Sequence, residues 1–319
     1  THSFDVLIRK MHIFTSEEFS VSLPPKHRFP MQKYRILSSM VDKNFHGRVN
    51  LESAELANCS DLELGHSKEY VDKILTGTLT KQEIQKVGFP WSHNLVSRAR
   101  QSVGATLAAT QCAKKEKVSV SLAGGTHHAR YQQAGGFCLF NDVAIATIRE
   151  LQANNRSRVL IIDCDVHQGD GTSEILSKYG RAYTLSIHSS RNYPHRKGNS
   201  DCDIELPDGT GDAEYLEKLS NGLSSVKGEF DPSLVFFNAG VDVHKNDRLG
   251  RLKLSTEGLR RRDAMVYDFA RGCLASLVAV MGGGYSSCAT QIAELHYQTV
   301  AEAYRSWKSV NMDSEKLAK

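Results

Sequence analysis

The sequence predicts an α/β protein with a single domain, built on an open, mainly parallel β-sheet with helices on both faces. Two observations lead to this prediction. Short apolar, β-branched runs alternate along the chain with longer segments of helical periodicity, as in repeated βα units. Three of the apolar runs are followed by Asp or His, and ligands of open parallel sheets bind at the carboxyl ends of the strands.

The individual elements follow from periodicity. Apolar runs predict five strands, at residues 118–123, 159–163, 182–187, 234–238 and 276–281. Apolar side chains at helical spacing predict six helices, at residues 31–42, 94–113, 141–154, 171–179, 213–227 and 255–271. Ser255 or Thr256 is the expected N-cap of the last helix. We find no internal repeat and no low-complexity linker, which favours a single domain.

Composition and charge indicate an ordinary globular protein. The 319 residues are 40% hydrophobic and 24% charged, with a net charge of only +4. The charged runs at 114–117 (KKEK) and 260–263 (RRRD) are short or mixed, so we interpret them as solvated helix faces. Direct nucleic-acid binding is therefore not expected.

The cysteines and the hydropathy of the sequence indicate in which cellular compartment the protein is located. The seven cysteines form no C-x-x-C pair, which favours free thiols in a reducing interior. We expect no membrane span, because no apolar run approaches about 18 residues, and we find no signal peptide. The expected location is intracellular, in the nucleus or cytoplasm. An organelle is possible if a targeting segment was removed, since the sequence starts without Met.

Three polar side chains after predicted strands form a candidate metal site. Asp165 and His167 follow the strand 159–163 two residues apart, so both would project to the same side of an extended segment. Asp242 follows the strand 234–238. Two carboxylates and one imidazole leave a fourth position open for water, which is typical of a catalytic zinc site. Alternatively, the carboxylates cap turns and the histidine makes ordinary hydrogen bonds.

A tandem histidine pair follows the predicted strand 118–123. His127 and His128 are neighbours that point in different directions, so each needs its own orienting partner. Asp163 and Asp170 are the natural partners, because they flank the candidate metal ligands. A buried carboxylate fixes the tautomer of a histidine and raises its basicity, as general acid–base catalysis requires. Alone, a His-His pair is more often an unrelated surface feature.

Two glycine-rich segments could bring the backbone close to a ligand. Residues 282–284 are three glycines after the last predicted strand, and Tyr285 behind them could donate its hydroxyl into the site. Gly136 and Phe137 precede the helix at 141–154 and indicate the wall of a narrow channel. Each segment could instead be a turn with a packed aromatic ring.

Seven separated motifs give the sequence a resemblance to a known family. In chain order they are residues 27–31 (HRFPM), 124–128 (GGTHH), 135–142 (GGFCLFND), 163–172 (DCDVHQGDGT), 238–242 (NAGVD), 247–250 (DRLG) and 282–285 (GGGY). Together they resemble the zinc-dependent histone deacetylase family, which has the arginase–deacetylase fold. The first and sixth motifs are most similar to its class IV-like branch and bacterial relatives. The resemblance covers about residues 12–305, which implies a catalytic domain at 12–319 after an N-terminal extension, 1–11.

The resemblance implies two kinds of metal site. It places the catalytic zinc on Asp165, His167 and Asp242. It also implies a structural potassium ion, held mostly through backbone carbonyls, at Asp163, Asp165, His167, Ser186 and Ile187.

The resemblance also implies catalytic and channel residues. His127 and His128 match the tandem general acid–base pair, backed by Asp163 and Asp170 respectively. Tyr285 matches the tyrosine that polarises the scissile carbonyl. The residues that match the wall of the acyl channel are Gly136 and Phe137.

The implied reaction is hydrolysis of N-ε-acyl-lysine in proteins, with acetyl or a longer acyl group, to free lysine and a carboxylate. Two alternatives stay open: an amidohydrolase of the same fold acting on acetylpolyamines or other small amides, and a catalytically inactive acyl-lysine binding module. A two-metal ureohydrolase is disfavoured, because Cys164 and Val166 stand between the candidate ligands where further carboxylates would be needed. The oligomeric state is left open.

One segment departs from the family pattern. The main branches carry an acidic residue in the loop before the helix at 94–113, where it holds the substrate's amide backbone. Here residues 87–93 (VGFPWSH) contain no carboxylate. A histone substrate therefore does not follow, and we expect tolerance of longer acyl groups or of non-peptide amides. Trp91 in this loop and Tyr193 in another are predicted to lie at the rim.

Overall fold

The computed structural model describes residues 9–16, 18 and 21–317, and that part of the chain contains eight strands and ten helices. The strands are β1 (Met11–Thr15), β2 (Val49–Ser53), β3 (Val118–Ser121), β4 (Val159–Asp163), β5 (Ala182–Ser189), β6 (Cys202–Leu206), β7 (Leu234–Asn238) and β8 (Ser276–Val280). The helices are α1 (Lys33–Asn44), α2 (Cys59–Gly65), α3 (Lys68–Thr76), α4 (Lys81–Val87), α5 (His93–Glu116), α6 (Asp142–Ala153), α7 (Asp170–Leu176), α8 (Asp212–Glu229), α9 (Thr256–Gly272) and α10 (Ala289–Leu317).

All eight strands form one parallel sheet, in the order β2-β1-β3-β8-β7-β4-β5-β6. This confirms the predicted fold class. The five predicted strands are β3, β8, β7, β4 and β5, and they lie side by side at the centre. No strand was predicted at β1, β2 or β6, which lie towards the two edges.

Helices cover both faces of the sheet because successive side chains of a strand point to opposite sides. Leu160 and Ile162 of β4 belong to one hydrophobic core, together with side chains of α1, α8, α9 and α10. Val159 and Ile161 of the same strand belong to the second core, with α2, α3, α5, α6 and α7. The central strands are thus buried on both faces, as their continuous apolar runs indicate.

The register aligns the carboxyl ends of the central strands. Asp163 of β4 is paired with Asn238 of β7 and with Ser186 of β5, and Asn238 is paired with Val280 of β8. The segments that follow these residues therefore all emerge at one edge of the sheet. The candidate site residues lie there.

Three other predictions concern a helix cap, membrane-spanning helices and the domain boundary. Ser255, one of the two residues proposed as the N-cap, caps α9: its side chain accepts a hydrogen bond from Gly258 N at 3.0 Å. No helix within the described residues is both long and apolar enough to cross a bilayer. The boundary between residues 1–11 and 12–319 stays a prediction: β1 begins at Met11, and residues 1–8 lie outside the described part.

Candidate active site

The loops after β4 and β7 bring three metal-capable side chains together. Asp165, His167 and Asp242 are buried, and one donor atom of each lies within 4.8 Å of the other two. His167 Nδ1 is 2.9 Å from Asp165 Oδ1 and 3.1 Å from Asp242 Oδ2. Backbone amides hold both carboxylates: Gly283 N donates to Asp165 Oδ2 at 2.7 Å, and Val166 N donates to Asp242 Oδ1 at 2.9 Å.

This donor set fits a divalent cation. Asp242 Oδ2 is buried and accepts no hydrogen bond from the described residues, although it faces His167 Nδ1. Burial and the nearby Asp165 raise the pKa of Asp242 to about 7, as expected when two carboxylates share a buried site. A divalent ion bound by both carboxylates and the imidazole would neutralise the two carboxylates. Mixed oxygen and nitrogen donors suit zinc.

Each histidine of the tandem pair has its own carboxylate partner. His127 Nδ1 lies 2.6 Å from Asp163 Oδ2, and His128 Nδ1 lies 2.6 Å from Asp170 Oδ1. All four side chains are buried. Asn238 Nδ2 donates to the other oxygen of Asp163 at 3.0 Å, which fixes that carboxylate from a second side. With Nδ1 engaged in both rings, each Nε2 is left for proton transfer.

The two histidines differ in basicity despite their similar partners. Burial lowers the pKa of His127, but the carboxylates of Asp163 and Asp165 together outweigh burial and raise that pKa to about 9. Burial also lowers the pKa of His128, and the positive charge of His127 adds to this, so that it falls to about 4 in spite of Asp170. The pair is therefore electrostatically asymmetric.

A carboxylate that the sequence did not single out holds the loop before the histidines. Asp142, the first residue of α6, accepts hydrogen bonds from Gly125 N at 3.2 Å and Thr126 N at 2.9 Å. The hydroxyls of Thr126 and Thr106 donate to it at 2.7 and 2.6 Å. Four charge-assisted bonds on one buried group fix the loop that delivers the histidines. In the sequence, Asp142 could have been recognised by its place at the end of the 135–142 motif.

Tyr285 lies against the candidate metal site, behind the glycine-rich turn. Its ring centroid is 6.1 Å from that of His167, and the residue is buried. Gly283 leaves no room for a side chain, because a Cβ there would collide with the carboxylates of Asp165 and Asp242. Asp247 Oδ2 accepts from Tyr285 N at 2.6 Å and so fixes the tyrosine backbone. Burial raises the pKa of Tyr285 well above its usual value, which keeps the hydroxyl protonated as a donor.

A cavity leads from this site to solvent, with Gly136 and Phe137 in its wall. Both residues have a positive φ, 52° and 65°, and a Cβ at Gly136 would collide with the ring of His128. Phe29 and Phe89 pack on Phe137 at ring-centroid distances of 5.3 and 5.1 Å. The residues that line this cavity are Arg28, Gln85, Lys86, Val87, Gly88, His128, Gly136, Phe137, His167, Asn192, Tyr193, Leu249 and Tyr285.

Of the two loop aromatics predicted at the rim, Tyr193 lies there and Trp91 does not. Tyr193 is 40% exposed, and its ring is 4.8 Å from that of His128. Trp91 Nε1 instead donates to Ile74 O at 2.8 Å, and its ring covers Gly77. The prediction for Trp91 is wrong, because the indole N–H finds a carbonyl of α3 and the ring packs on that helix.

The charged run 260–263 is not wholly a solvated helix face, so that prediction is wrong for two of its residues. Arg262 and Asp263 are fully buried. Arg262 Nη1 donates to Gly240 O at 2.5 Å and to Cys164 O at 3.4 Å, and its Nε donates to Asp263 Oδ1 at 2.8 Å. Those carbonyls belong to the two loops that carry the metal-capable residues. The guanidinium therefore links the two loops through hydrogen bonds to their carbonyls.

We expect Arg262→Met to destabilise the fold by about 3–5 kcal/mol, because it leaves Asp263 as an unpaired buried charge. Urea unfolding of the purified variant measures the loss. The double variant Arg262→Met, Asp263→Leu is the control, since it removes both charges and should recover much of the stability. A loss of less than about 1 kcal/mol, the net contribution of one ordinary hydrogen bond, would contradict this structural role.

Fold and site together define an α/β protein with one candidate catalytic metal centre at the carboxyl edge of a parallel sheet. The family model for the histone deacetylase domain matches residues 27–301. The chain belongs to the histone deacetylase family.

Two relatives are similar to this chain in sequence, and two solved structures are similar to it in fold. An uncharacterised protein from Picosynechococcus sp. is 38% identical over 272 residues, which cover 84% of this chain and 90% of the relative. Histone deacetylase 2 from Arabidopsis thaliana is 31% identical over 303 residues, or 91% and 78% of the two chains. The crystal structure of an HDAC homolog from Aquifex aeolicus has a TM-score of 0.78 at 21% identity, covering 93% of this chain and 84% of that chain. The crystal structure of the HDA15 HD domain has a TM-score of 0.74 at 23% identity, covering 97% of this chain and 98% of that chain.

Proposed function

We propose that this protein is a zinc-dependent deacylase that hydrolyses N-ε-acyl-lysine in proteins to free lysine and a carboxylate. The observation that carries the proposal is the meeting of three groups at one cavity: a metal-capable Asp-His-Asp set, two carboxylate-backed histidines and a buried tyrosine. Membership of the histone deacetylase family, whose members are hydrolases, supports the reaction type. The proposed place of action is the nucleus or cytoplasm.

Each part of the site has a proposed task. The Asp-His-Asp set would hold zinc, whose chemistry there would be to polarise the scissile carbonyl and to lower the pKa of water. His127 or His128 would accept the proton of the attacking water. His128 lines the cavity, so it is the better placed to donate a proton to the leaving amine. The Tyr285 hydroxyl donates to the developing oxyanion, and Phe137 shields the acyl group from solvent.

A structural potassium ion is also part of the proposal, on the family resemblance. The sheet register pairs Asp163 with Ser186 and places Ile187 one residue further along β5. Backbone carbonyls of Asp163 at the end of β4 and of Ser186 and Ile187 within β5, with those of Asp165 and His167 in the loop after β4, would supply its oxygen ligands.

Turnover of an acetyl-lysine peptide, with and without a chelator, tests the proposed function. Hydrolysis that the chelator abolishes and zinc restores is the expected result. Binding of the peptide without any turnover would instead indicate an acyl-lysine binding module. Turnover confined to acetylpolyamines or other small amides would identify the alternative amidohydrolase.

We further propose that the channel accepts acyl groups longer than acetyl. Residues 87–93 offer no carboxylate to hold a peptide backbone. A small cavity of about 60 Å³ borders the channel, is lined mainly by apolar side chains and shares Phe137 with the channel wall. Each buried methylene contributes about 0.8 kcal/mol. A few carbons would therefore offset a lost charge-assisted hydrogen bond of about 1.5–3 kcal/mol.

The chain-length proposal predicts that kcat/KM does not fall beyond acetyl and rises by up to about tenfold for butyryl. The measurement compares acetyl, butyryl, octanoyl and myristoyl forms of one lysine peptide, beside the matching acyl-amines. Ala99→Leu is a matched variant, because residue 99 lines the small cavity and a larger side chain there should lower the ratio of longer-acyl to acetyl activity. A steep decline beyond acetyl in the unmodified protein would show that the channel is short.

A further inference from the structure

Three exposed cations stand around the mouth of the cavity, on three separate segments. Arg28 lies before α1 and Lys86 lies in the last turn of α4. Both are exposed residues of the cavity lining, which places them where the cavity opens to solvent. Arg248 lies in the loop after β7. Its Nε donates to Tyr285 O at 2.8 Å and its Nη2 to Arg28 O at 3.4 Å, so the guanidinium is held beside the entrance.

None of these cations pairs with a carboxylate of the described residues. Lys86 Nζ reaches only the amide oxygen of Gln133, at 3.4 Å, and Arg248 bonds only to backbone carbonyls. Among the described residues, Arg28 is bonded only through its carbonyl, which accepts from Arg248, and its side chain has no hydrogen-bond or ion-pair partner. The lining of the cavity contains no Asp or Glu. Asp247, next to Arg248, is turned inward onto backbone amides.

We propose that this mouth recognises acidic protein segments, in which Asp or Glu residues flank the acyl-lysine. The inference rests on the proposed function of the site and adds the sequence class around the target lysine. The cations lie at the rim and the channel wall is aromatic, so they would meet carboxylates of the flanking peptide rather than a charge on the acyl group. A Lys- and Arg-rich segment would meet like charge on three sides.

The expected selectivity is modest and depends on salt. An exposed ion pair changes an affinity by about 1.5- to fivefold, so three cations together should favour an acidic over a basic peptide by about tenfold at low ionic strength. Charges at the surface are screened over about 10 Å at 0.1 M salt. The preference should therefore shrink as salt is added, whereas contacts inside the channel should not respond.

The test uses two peptides with the same central acetyl-lysine, one with Asp and Glu and one with Lys and Arg at the flanking positions. Both kcat/KM and the dissociation constant, from fluorescence anisotropy, are measured at low and high salt. Lys86→Glu and Arg28→Glu should each reduce the acidic-to-basic ratio about two- to tenfold, and together reverse it. Lys227→Glu is the control: it makes the same charge change at the exposed end of α8, at the opposite edge of the sheet, and should leave the ratio unchanged.

Two results would overturn the proposal. One is a ratio near one, or a preference for the basic peptide, in the unmodified protein. The other is an equal response to Lys227→Glu and Lys86→Glu, which would show an effect of net charge rather than of the mouth. If neither peptide is hydrolysed, the proposed deacylase function fails, and the ratio of dissociation constants still decides whether the mouth selects acidic segments.

Discussion

Asp242→Asn should empty the candidate zinc site without unfolding the protein. Asparagine keeps an oxygen that can accept from Val166 N, now 2.9 Å from Asp242 Oδ1, but it loses the anionic oxygen that faces His167. A three-ligand zinc site depends on each of its ligands. Elemental analysis of the purified protein should therefore give about one ion per chain for the unmodified protein and close to none for Asp242→Asn or Asp242→Ala.

Thermal or chemical unfolding separates metal loss from misfolding in these variants. A ligand that binds only the folded state stabilises it by about 4 kcal/mol at a free concentration a thousand times its Kd. Zinc should thus stabilise the unmodified protein and leave Asp242→Asn unchanged. Asp208→Asn is the control, because it removes an exposed carboxylate that pairs with Arg251, and it should keep the zinc response. Full metal occupancy in Asp242→Ala would refute the assignment of this ligand.

The centre of the sheet could be predicted for a simple physical reason. Parallel strands buried on both faces are continuous apolar runs, and β4 and β7 are buried along their whole length. Once such strands are recognised, the residues after them must lie at one edge. The meeting of Asp165, His167 and Asp242 in space therefore follows from where each stands relative to a strand end.

The outer strands gave no comparable signal. β2 has no fully buried residue and β6 has one, and both mix polar with apolar side chains. Their pairing depends on neighbours distant in the chain, since β1 pairs with β2 on one side and with β3 on the other. The helices α2 to α4 and α10 likewise were not predicted. Strand and helix boundaries in the centre differ from the predicted ones by a few residues.

Buried polar groups were the hardest to predict, because their partners lie far away in sequence. The carbonyls that accept from Arg262 are 22 and 98 residues distant, at Gly240 and Cys164. Lys33 is similar: it is almost fully buried, and its Nζ lies 3.3 Å from Gly284 O, 251 residues away. A local charge pattern favours solvent for such residues, and only the assembled sheet edge offers the acceptors that make burial favourable.

At Tyr285, removing the hydroxyl oxygen alone separates the chemical role of the side chain from its packing. Its backbone is fixed, with Asp247 accepting from its N–H and Arg248 donating to its carbonyl. Its ring packs near Phe29 and Phe137, at centroid distances of 6.0 and 5.9 Å. In the part of the chain that the structure describes, no group is hydrogen-bonded to its Oη. Phenylalanine would keep these contacts and remove only the hydroxyl.

Tyr285→Phe should therefore lower kcat by about 10²–10³, the usual cost of removing one oxyanion donor, while zinc content and the unfolding midpoint stay unchanged. A contact made only in the transition state lowers kcat and kcat/KM equally, so KM for an acyl-lysine peptide should barely move. Tyr297→Phe is the matched control, because that partly buried ring packs on Phe45 against the hydrophobic core, and its kcat should be normal. Near-normal kcat in Tyr285→Phe would mean that the tyrosine only packs, and the oxyanion would then need another donor at the sheet edge.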